Sequence, residues 1–74
     1  MQIHVSCFAT LSRYTPPDGR LEVEEGATLQ EVIDLLSIPR EEVRITFING
    51  RNSEKTAGLK ANDRVGIFPA IGGG

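Results

Sequence analysis

Three glycines, Gly72, Gly73 and Gly74, close the 74-residue sequence and follow an apolar, strand-like run. Glycine gives no side chain to a core, and it loses more conformational freedom on ordering than any other residue. A backbone without Cβ atoms can thread a narrow channel, and the α-carboxylate of Gly74 is the only reactive group that such a segment offers to another enzyme. The alternative is a frayed terminus or a cloning scar. The residues alone leave both interpretations open.

Cys7 and His4 are two further residues whose types could support chemistry. Cys7 lies on the same face of the first predicted strand as Ile3 and Val5, so we expect a small buried hydrophobic residue rather than a reactive thiol. His4 lies on the opposite face, which makes a His–Cys pair awkward and predicts a surface histidine. No CxxC, HExxH, GxSxG or phosphate-binding loop is present. The sequence therefore predicts that the chain is not itself an enzyme and holds no metal.

Composition limits the class of protein further. A chain of this length with 39% hydrophobic residues has room for one small domain, residues 1–74, and is too apolar to be disordered. The net charge of −2 and the scattered basic residues argue against nucleic-acid binding. No apolar run approaches the ~20 residues of a membrane span, and no secretory signal is visible. We expect a cytoplasmic protein with no nucleic-acid partner and no membrane partner.

Alternation of apolar and polar residues predicts four strands. They span residues 2–9, 21–24, 43–49 and 64–71. The inward face of the third strand is ambiguous, because either Ile45 and Phe47 or Thr46 and Ile48 could point to the core. Between the strands, residues 10–19 are predicted to be a loop.

A helix is the clearest element of the sequence. Thr28 and Glu31 fit a capping box, and Pro39 disfavours helical geometry at the preceding residue, which ends the helix near Ser37. Four apolar residues then share one helical face: Leu29, Val32, Ile33 and Leu36. The order of elements predicts an α+β fold, with a mixed four- to five-stranded sheet and one main helix packed across it.

Turn residues and one apolar anchor mark the rest of the chain. Asn49-Gly50 is a strong turn dipeptide, and Asn62-Asp63 marks another turn. Residues 51–63 are mostly polar and are expected to be irregular around Leu59, which we predict to be buried.

Two phenylalanines lie on the predicted outward faces of the first and last strands. If these strands are neighbours, Phe8 and Phe68 fall on one exposed face of the sheet. An apolar patch on a small protein commonly marks a partner surface, and interface cores favour aromatic residues. The alternative is that loops cover both rings.

The chain resembles the MoaD/ThiS group of β-grasp, ubiquitin-like sulfur carriers along all 74 residues. The segments that carry the resemblance are the opening strand with Cys7-Phe8-Ala9, Glu25–Leu29, Asn49-Gly50, Leu59–Val65, Phe68-Pro69 and the terminal Gly73-Gly74. The long first loop and Phe68-Pro69 look more like the small subunit of molybdopterin synthase than like the thiamine carrier. The family usually has Asp-Gly-Asp in the last turn, where this chain has Ala61-Asn62-Asp63, and Asn can also adopt a positive φ.

The resemblance implies a carrier mechanism in which other proteins do the catalysis. An E1-like adenylyltransferase would use ATP to adenylylate the Gly74 carboxylate, and a sulfurtransferase or other sulfur donor would convert it to a thiocarboxylate. A synthase large subunit would then receive the sulfur for molybdopterin, in molybdenum or tungsten cofactor biosynthesis. This chain itself would bind no cofactor. Residues 69–74 would form a flexible tail, and the expected partner contacts are Phe8, Phe68, Pro69 and Ile71.

Three other functions remain open from the sequence. The sulfur could serve thiamine or another metabolite, or the activated Gly74 could acylate a target protein, as ubiquitin-like modifiers do. The chain could also be a binding module whose glycines are incidental.

Overall fold

Five strands form one mixed sheet in the computed structural model, which describes residues 1–70. β1 spans Gln2–Cys7, β2 Arg20–Glu22, β3 Val43–Ile48, β4 Arg51–Asn52 and β5 Arg64–Pro69. Their order across the sheet is β2-β1-β5-β3-β4, with β1 parallel to β5 and the other neighbours antiparallel. The first and last predicted strands are therefore central neighbours, and the α+β expectation is confirmed.

The core lies between one face of the sheet and the helix α1, which spans Leu29–Leu35. Alternate residues of the two central strands point to this face, as the sequence pattern predicts. The largest fully buried side chains are Ile3, Val5, Leu11, Leu29, Val32, Ile33 and Ile67. Removing this apolar surface from water is the main favourable contribution to the fold, at about 25 cal/mol per Å². One side of the sheet is thus committed to the core, and the other is open.

The predicted capping box is present at the start of α1. The Thr28 hydroxyl accepts a hydrogen bond from the Glu31 amide at 3.3 Å, and the Thr28 amide donates to Glu31 Oε1 at 3.2 Å. Helical residues end at Leu35, and a turn follows in which Ser37 has φ 62°. The helix therefore ends close to its predicted boundary, with Ile38 buried just beyond it.

Strand β3 resolves the ambiguity that the sequence left. Thr46 points to the core side and is buried, while Ile45 on the other face is 38% exposed. A buried hydroxyl needs a partner, and Thr46 Oγ1 donates to the Ser53 carbonyl at 2.6 Å. An irregularity between Val43 and Ile45 in the pairing with β5 further disturbs simple alternation.

Several boundaries differ from the sequence expectations. The strand predicted for residues 2–9 ends at Cys7, because Ala9 has φ 53° and starts a 3₁₀ helix. The predicted loop contains 3₁₀ helices at Ala9–Tyr14 and Pro17–Gly19, and a further one lies at Arg40–Glu42. The predicted flexible tail includes residue 69, but Pro69 is buried and pairs with Val43.

The predicted turns and the apolar anchor are confirmed. Asn49 and Gly50 both have positive φ, 52° and 81°, as a tight hairpin turn requires. Asn62 has φ 69°, so asparagine does supply the left-handed conformation in the last turn. Leu59 is only 5% exposed. The segment around it also contributes β4, which the sequence did not indicate.

Candidate functional site

The rings of Phe8 and Phe68 stack on the open face of the sheet. Their centroids are 4.3 Å apart and their planes differ by 7°. Phe68 is on β5, and Phe8 directly follows β1, where its amide donates to the Ile67 carbonyl at 3.0 Å. Parallel pairing of Cys7 with Ile67 fixes this alignment. The structure thus brings together the two aromatic residues that the sequence placed on one exposed face.

Phe47 completes an aromatic cluster, which we define as Phe8, Phe47 and Phe68. Its ring meets that of Phe68 edge-on, with centroids 5.5 Å apart and an interplanar angle of 79°. Both arrangements are favourable for aromatic pairs. Sequence reasoning missed Phe47 because the inward face of β3 was ambiguous. What separates the two faces is the hydrogen bond from the Thr46 hydroxyl to the Ser53 carbonyl, which no local pattern in the sequence indicates.

Exposure makes the aromatic cluster available to another molecule. Phe8 is 41% exposed, and Ile45 extends the apolar surface along β3. No loop of the described residues covers Phe8. Contiguous apolar surface of this kind commonly marks an interaction site.

Pro69, a third predicted partner contact, does not join this surface. Pro69 alternates with Phe68 along β5 and is buried on the core side. Ile71, Gly72, Gly73 and Gly74 lie outside the described residues. Their expected roles, and that of Pro69, stay predictions. The aromatic cluster does lie near the end of β5 from which the chain continues toward these residues.

Cys7 and His4 lie where the sequence placed them. Cys7 is 6% exposed, and burial raises the pKa of its thiol, although a hydrogen bond with the Thr15 side chain acts in the opposite direction. A thiol with a raised pKa is a poor nucleophile. His4 is half-buried on the open face of β1. Within residues 1–70, no three His, Cys, Asp or Glu side chains lie close enough together to hold a metal ion.

Across residues 1–70, no helix has both the length and the apolar character that crossing a bilayer would require. A cytoplasmic location stays a prediction.

A mixed five-stranded sheet crossed by one helix, with an aromatic surface on its open face, defines a ubiquitin-like β-grasp protein. The sequence model of the ThiS family matches residues 5–74, so the chain belongs to the ThiS family. The resemblance to MoaD/ThiS-type sulfur carriers is thereby confirmed. No curated protein matches the sequence.

Solved structures of small proteins share the fold. SAMP1 from Haloferax volcanii is 19% identical with a TM-score of 0.75, each chain being covered to 100%. A putative molybdopterin converting factor, subunit 1, from Pyrococcus furiosus is 24% identical with a TM-score of 0.76, over 96% of this chain and 99% of the other. A structure of small archaeal modifier protein 1 from Haloferax volcanii is 17% identical with a TM-score of 0.74, over 95% of this chain and 98% of the other. These likenesses confirm the β-grasp fold.

Proposed function

We propose that this protein is a sulfur carrier whose α-carboxylate at Gly74 is adenylylated, converted to a thiocarboxylate and used to donate sulfur. The observation that carries the proposal is the family match, which extends over residues 5–74 and so includes all three terminal glycines.

Each step has a simple chemical reason. A carboxylate oxygen of Gly74 attacks the α-phosphate of ATP on an E1-like adenylyltransferase, and pyrophosphate leaves. The acyl-adenylate then carries AMP, a far better leaving group than oxide. A hydrosulfide equivalent from the sulfur donor attacks the acyl carbon and expels AMP, which leaves a thiocarboxylate. ATP is the partner's substrate, and this chain supplies only the acceptor carboxylate.

The aromatic cluster is the proposed docking surface for these partners. It lies close to the end of β5, and a fully extended chain from Pro69 to Gly74 spans at most ~20 Å. Such a reach would let the glycines enter an active site while Phe8 and Phe68 stay on the partner's outer surface. A rigid aromatic anchor suits this task, since buried aromatics dominate the energetics of many interfaces.

For the pathway, we propose molybdopterin synthesis, with a synthase large subunit as the receiver. The support is the long first loop, the Phe68-Pro69 pair and the fold shared with the Pyrococcus furiosus protein described as a putative molybdopterin converting factor subunit. Thiamine or another sulfur-containing metabolite is the alternative within the same chemistry. Adding the thiocarboxylated protein to a purified synthase large subunit and the pterin precursor tests the pathway. Formation of the dithiolene product supports it, and no product with an active synthase contradicts it.

Protein conjugation is the second candidate function. It is favoured by the shared fold with a protein described as small archaeal modifier protein 1. The two functions share the acyl-adenylate and separate afterwards, because conjugation requires a target lysine as nucleophile in place of sulfur. The species formed by the epitope-tagged protein, expressed in its own host, distinguish the carrier function from the modifier function. A ladder of heavier conjugates that disappears when Gly74 is deleted supports a modifier, and a free thiocarboxylate without a ladder supports the carrier.

A further inference from the structure

A shallow groove of about 290 Å³ runs along the open face beside the aromatic cluster. Its residues are Ser6, Phe8, Phe47, Gly50, Arg64, Val65, Gly66 and Phe68. Gly66 forms the floor, because it lies between Ser6 of β1 and Phe47 of β3 in the sheet register. A side chain at this central position would take up part of the groove, since its Cβ would stand 3.6 Å from the rings of Phe8 and Phe68.

The lining is apolar at one end and cationic at the other. The stacked rings of Phe8 and Phe68 bound one end, and Arg64 lies two residues before Gly66 on the same face of β5. An apolar cavity of about 150 Å³ can hold a benzene ring, so the groove has room for one large apolar side chain. Its floor lies on three paired strands, whereas Phe8 directly follows β1 and Gly50 lies in the turn after β3.

Arg64 belongs to a row of basic side chains across the sheet. His4 pairs with Arg20 of β2 on one side and with Arg64 of β5 on the other, so all three share the open face. Adjacent strands are about 4.8 Å apart, which puts the two arginines roughly 10 Å from each other at their Cα atoms. Within residues 1–70, neither arginine forms a salt bridge.

The nearest carboxylates are already engaged. Asp63 accepts hydrogen bonds from the Asn49 side chain at 2.9 Å and from the Lys60 amide at 2.8 Å. Glu22, on the same face as Arg20, pairs with the Met1 amine at 3.1 Å. Other acidic residues line the helix side of the molecule, among them Glu24, Glu31 and Asp34. Among the described residues that line the groove, Arg64 is the one charged side chain, and it is a cation although the whole chain has a net charge of −2.

We infer that the groove receives an acidic partner segment in which a large apolar side chain is followed by one or two carboxylates. The apolar side chain lies on Gly66 against the aromatic cluster, and the carboxylates meet Arg64 and the basic row beyond it. This inference rests on the proposed function, since it specifies the chemistry of the partner that docks on the same face. Charge complementarity of this kind sets orientation and association rate more than it sets affinity.

Two synthetic ten-residue peptides test the inference against the full-length ¹⁵N-labelled protein by NMR. They share one leucine in a Gly/Ser background, and the leucine is followed by two aspartates in one peptide and by two lysines in the other. The acidic peptide is expected to shift the amides of Ser6, Phe47 and Gly66 and to bind at least roughly fivefold more tightly than the basic peptide, since one to two exposed charge pairs contribute about 1 kcal/mol.

Substitutions separate the two halves of the groove. Gly66→Leu should abolish binding by filling the floor. Its Cβ would meet only ordinary contacts at 3.6 Å or more, and the ¹⁵N spectrum of the variant reports whether the fold accommodates the rest of the side chain. Arg64→Glu should reverse the preference between the peptides. Arg51→Glu is the matched control, because Arg51 is an exposed strand arginine that pairs with Ile48 and so points away from the open face. It should leave both affinities unchanged.

The peptide titrations and the groove variants can each support or overturn the inference. Shifts confined to the groove, an acidic preference and its loss in the two groove variants support the inference. Absence of shifts at millimolar peptide, equal affinity for both peptides, or binding that survives Gly66→Leu overturns it. Thiocarboxylate formation by the wild-type chain is measured separately, so the inference can fail while the proposed carrier function stands.

Discussion

The Phe8 ring lies flat on the Phe68 ring, with centroids 4.3 Å apart, although the two residues are 60 positions apart in sequence. Parallel pairing of β1 with β5 brings them together, so the stack exists only when the sheet is formed. The aromatic surface is therefore a preformed feature of the fold. A preformed anchor loses little conformational entropy when it binds.

The first prediction concerns this stack. Phe8→Ala and Phe68→Ala should each weaken partner binding about fivefold or more, because truncating an aromatic anchor commonly costs over 1 kcal/mol. In urea unfolding, the double variant should show a coupling free energy of about 0.5–1.5 kcal/mol between the rings. Leu35→Ala is the control, since Leu35 is an exposed apolar residue on α1. Equal losses of binding in the control would mean that the aromatic cluster has no special role.

A second prediction tests the backbone at Asn62. Its φ of 69° is a conformation that costs most L-residues about 1–2 kcal/mol. Asn62→Ala should therefore lower the free energy of unfolding by about 1 kcal/mol, while Asn62→Gly should be close to neutral. Ala61→Gly serves as the comparison, because Ala61 does not have a positive φ. If alanine and glycine at position 62 were equally stable in urea, the turn would not need the left-handed conformation.

The third prediction concerns the pH dependence of the Asp34–Arg40 pair. Hydrogen bonds from the Arg40 guanidinium, at 3.1 Å to Oδ1 and 2.8 Å to Oδ2, hold the pKa of Asp34 below its ordinary range, and Gln30 adds a further hydrogen bond. Because the folded pKa is the lower one, the pair stabilises the fold above the unfolded pKa of about 3.9. This stabilisation is lost as the pH falls through the folded pKa.

Arg40→Gln should move the Asp34 pKa, followed by carboxyl NMR, back toward its ordinary value. The stability difference between wild type and this variant should be present near neutral pH and vanish in strong acid. Both side chains are largely solvated, so we expect a small difference. A difference that grew as the pH fell would have the wrong sign for this pair.

Thiol reactivity provides the fourth prediction. Cys7 is buried and burial raises the pKa of its thiol, so alkylation of the native protein at pH 8 should be at least about a hundredfold slower than in urea. A variant that combines Ser6→Cys with Cys7→Ala places the thiol on the exposed face of the same strand and should react rapidly. Comparable rates for the two native proteins would show that Cys7 is accessible, and it would then need to be considered as a sulfur-handling group.

Sequence reasoning succeeded where local signals agreed with the tertiary structure. The capping box at Thr28, the alternation in β1 and β5 and the turn at Asn49-Gly50 depend on interactions within a few residues. These signals sufficed to place Phe8 and Phe68 on one face, given that the first and last strands pair. The buried position of Leu59 was also apparent, as an isolated apolar residue in a polar segment.

The remaining features depend on contacts between distant segments. Thr46 can be assigned to the core only when the Ser53 carbonyl is known to accept a hydrogen bond from its hydroxyl. Without that contact the face that carries Phe47 stays undetermined. The tail predicted for residues 69–74 begins too early, because Pro69 pairs with Val43 and continues β5. The groove over Gly66 required the register of three strands, which no pattern in one strand specifies.

The most direct test of the carrier function is an intact-mass measurement. The protein is incubated with ATP, a matching E1-like adenylyltransferase and a sulfide donor, and then analysed by mass spectrometry with fragmentation. We predict a mass increase equal to the replacement of one oxygen by sulfur, located at Gly74 and absent when ATP is omitted or Gly74 is deleted. An adenylyltransferase that binds the chain and consumes ATP without producing this change would contradict the proposed sulfur-carrier function.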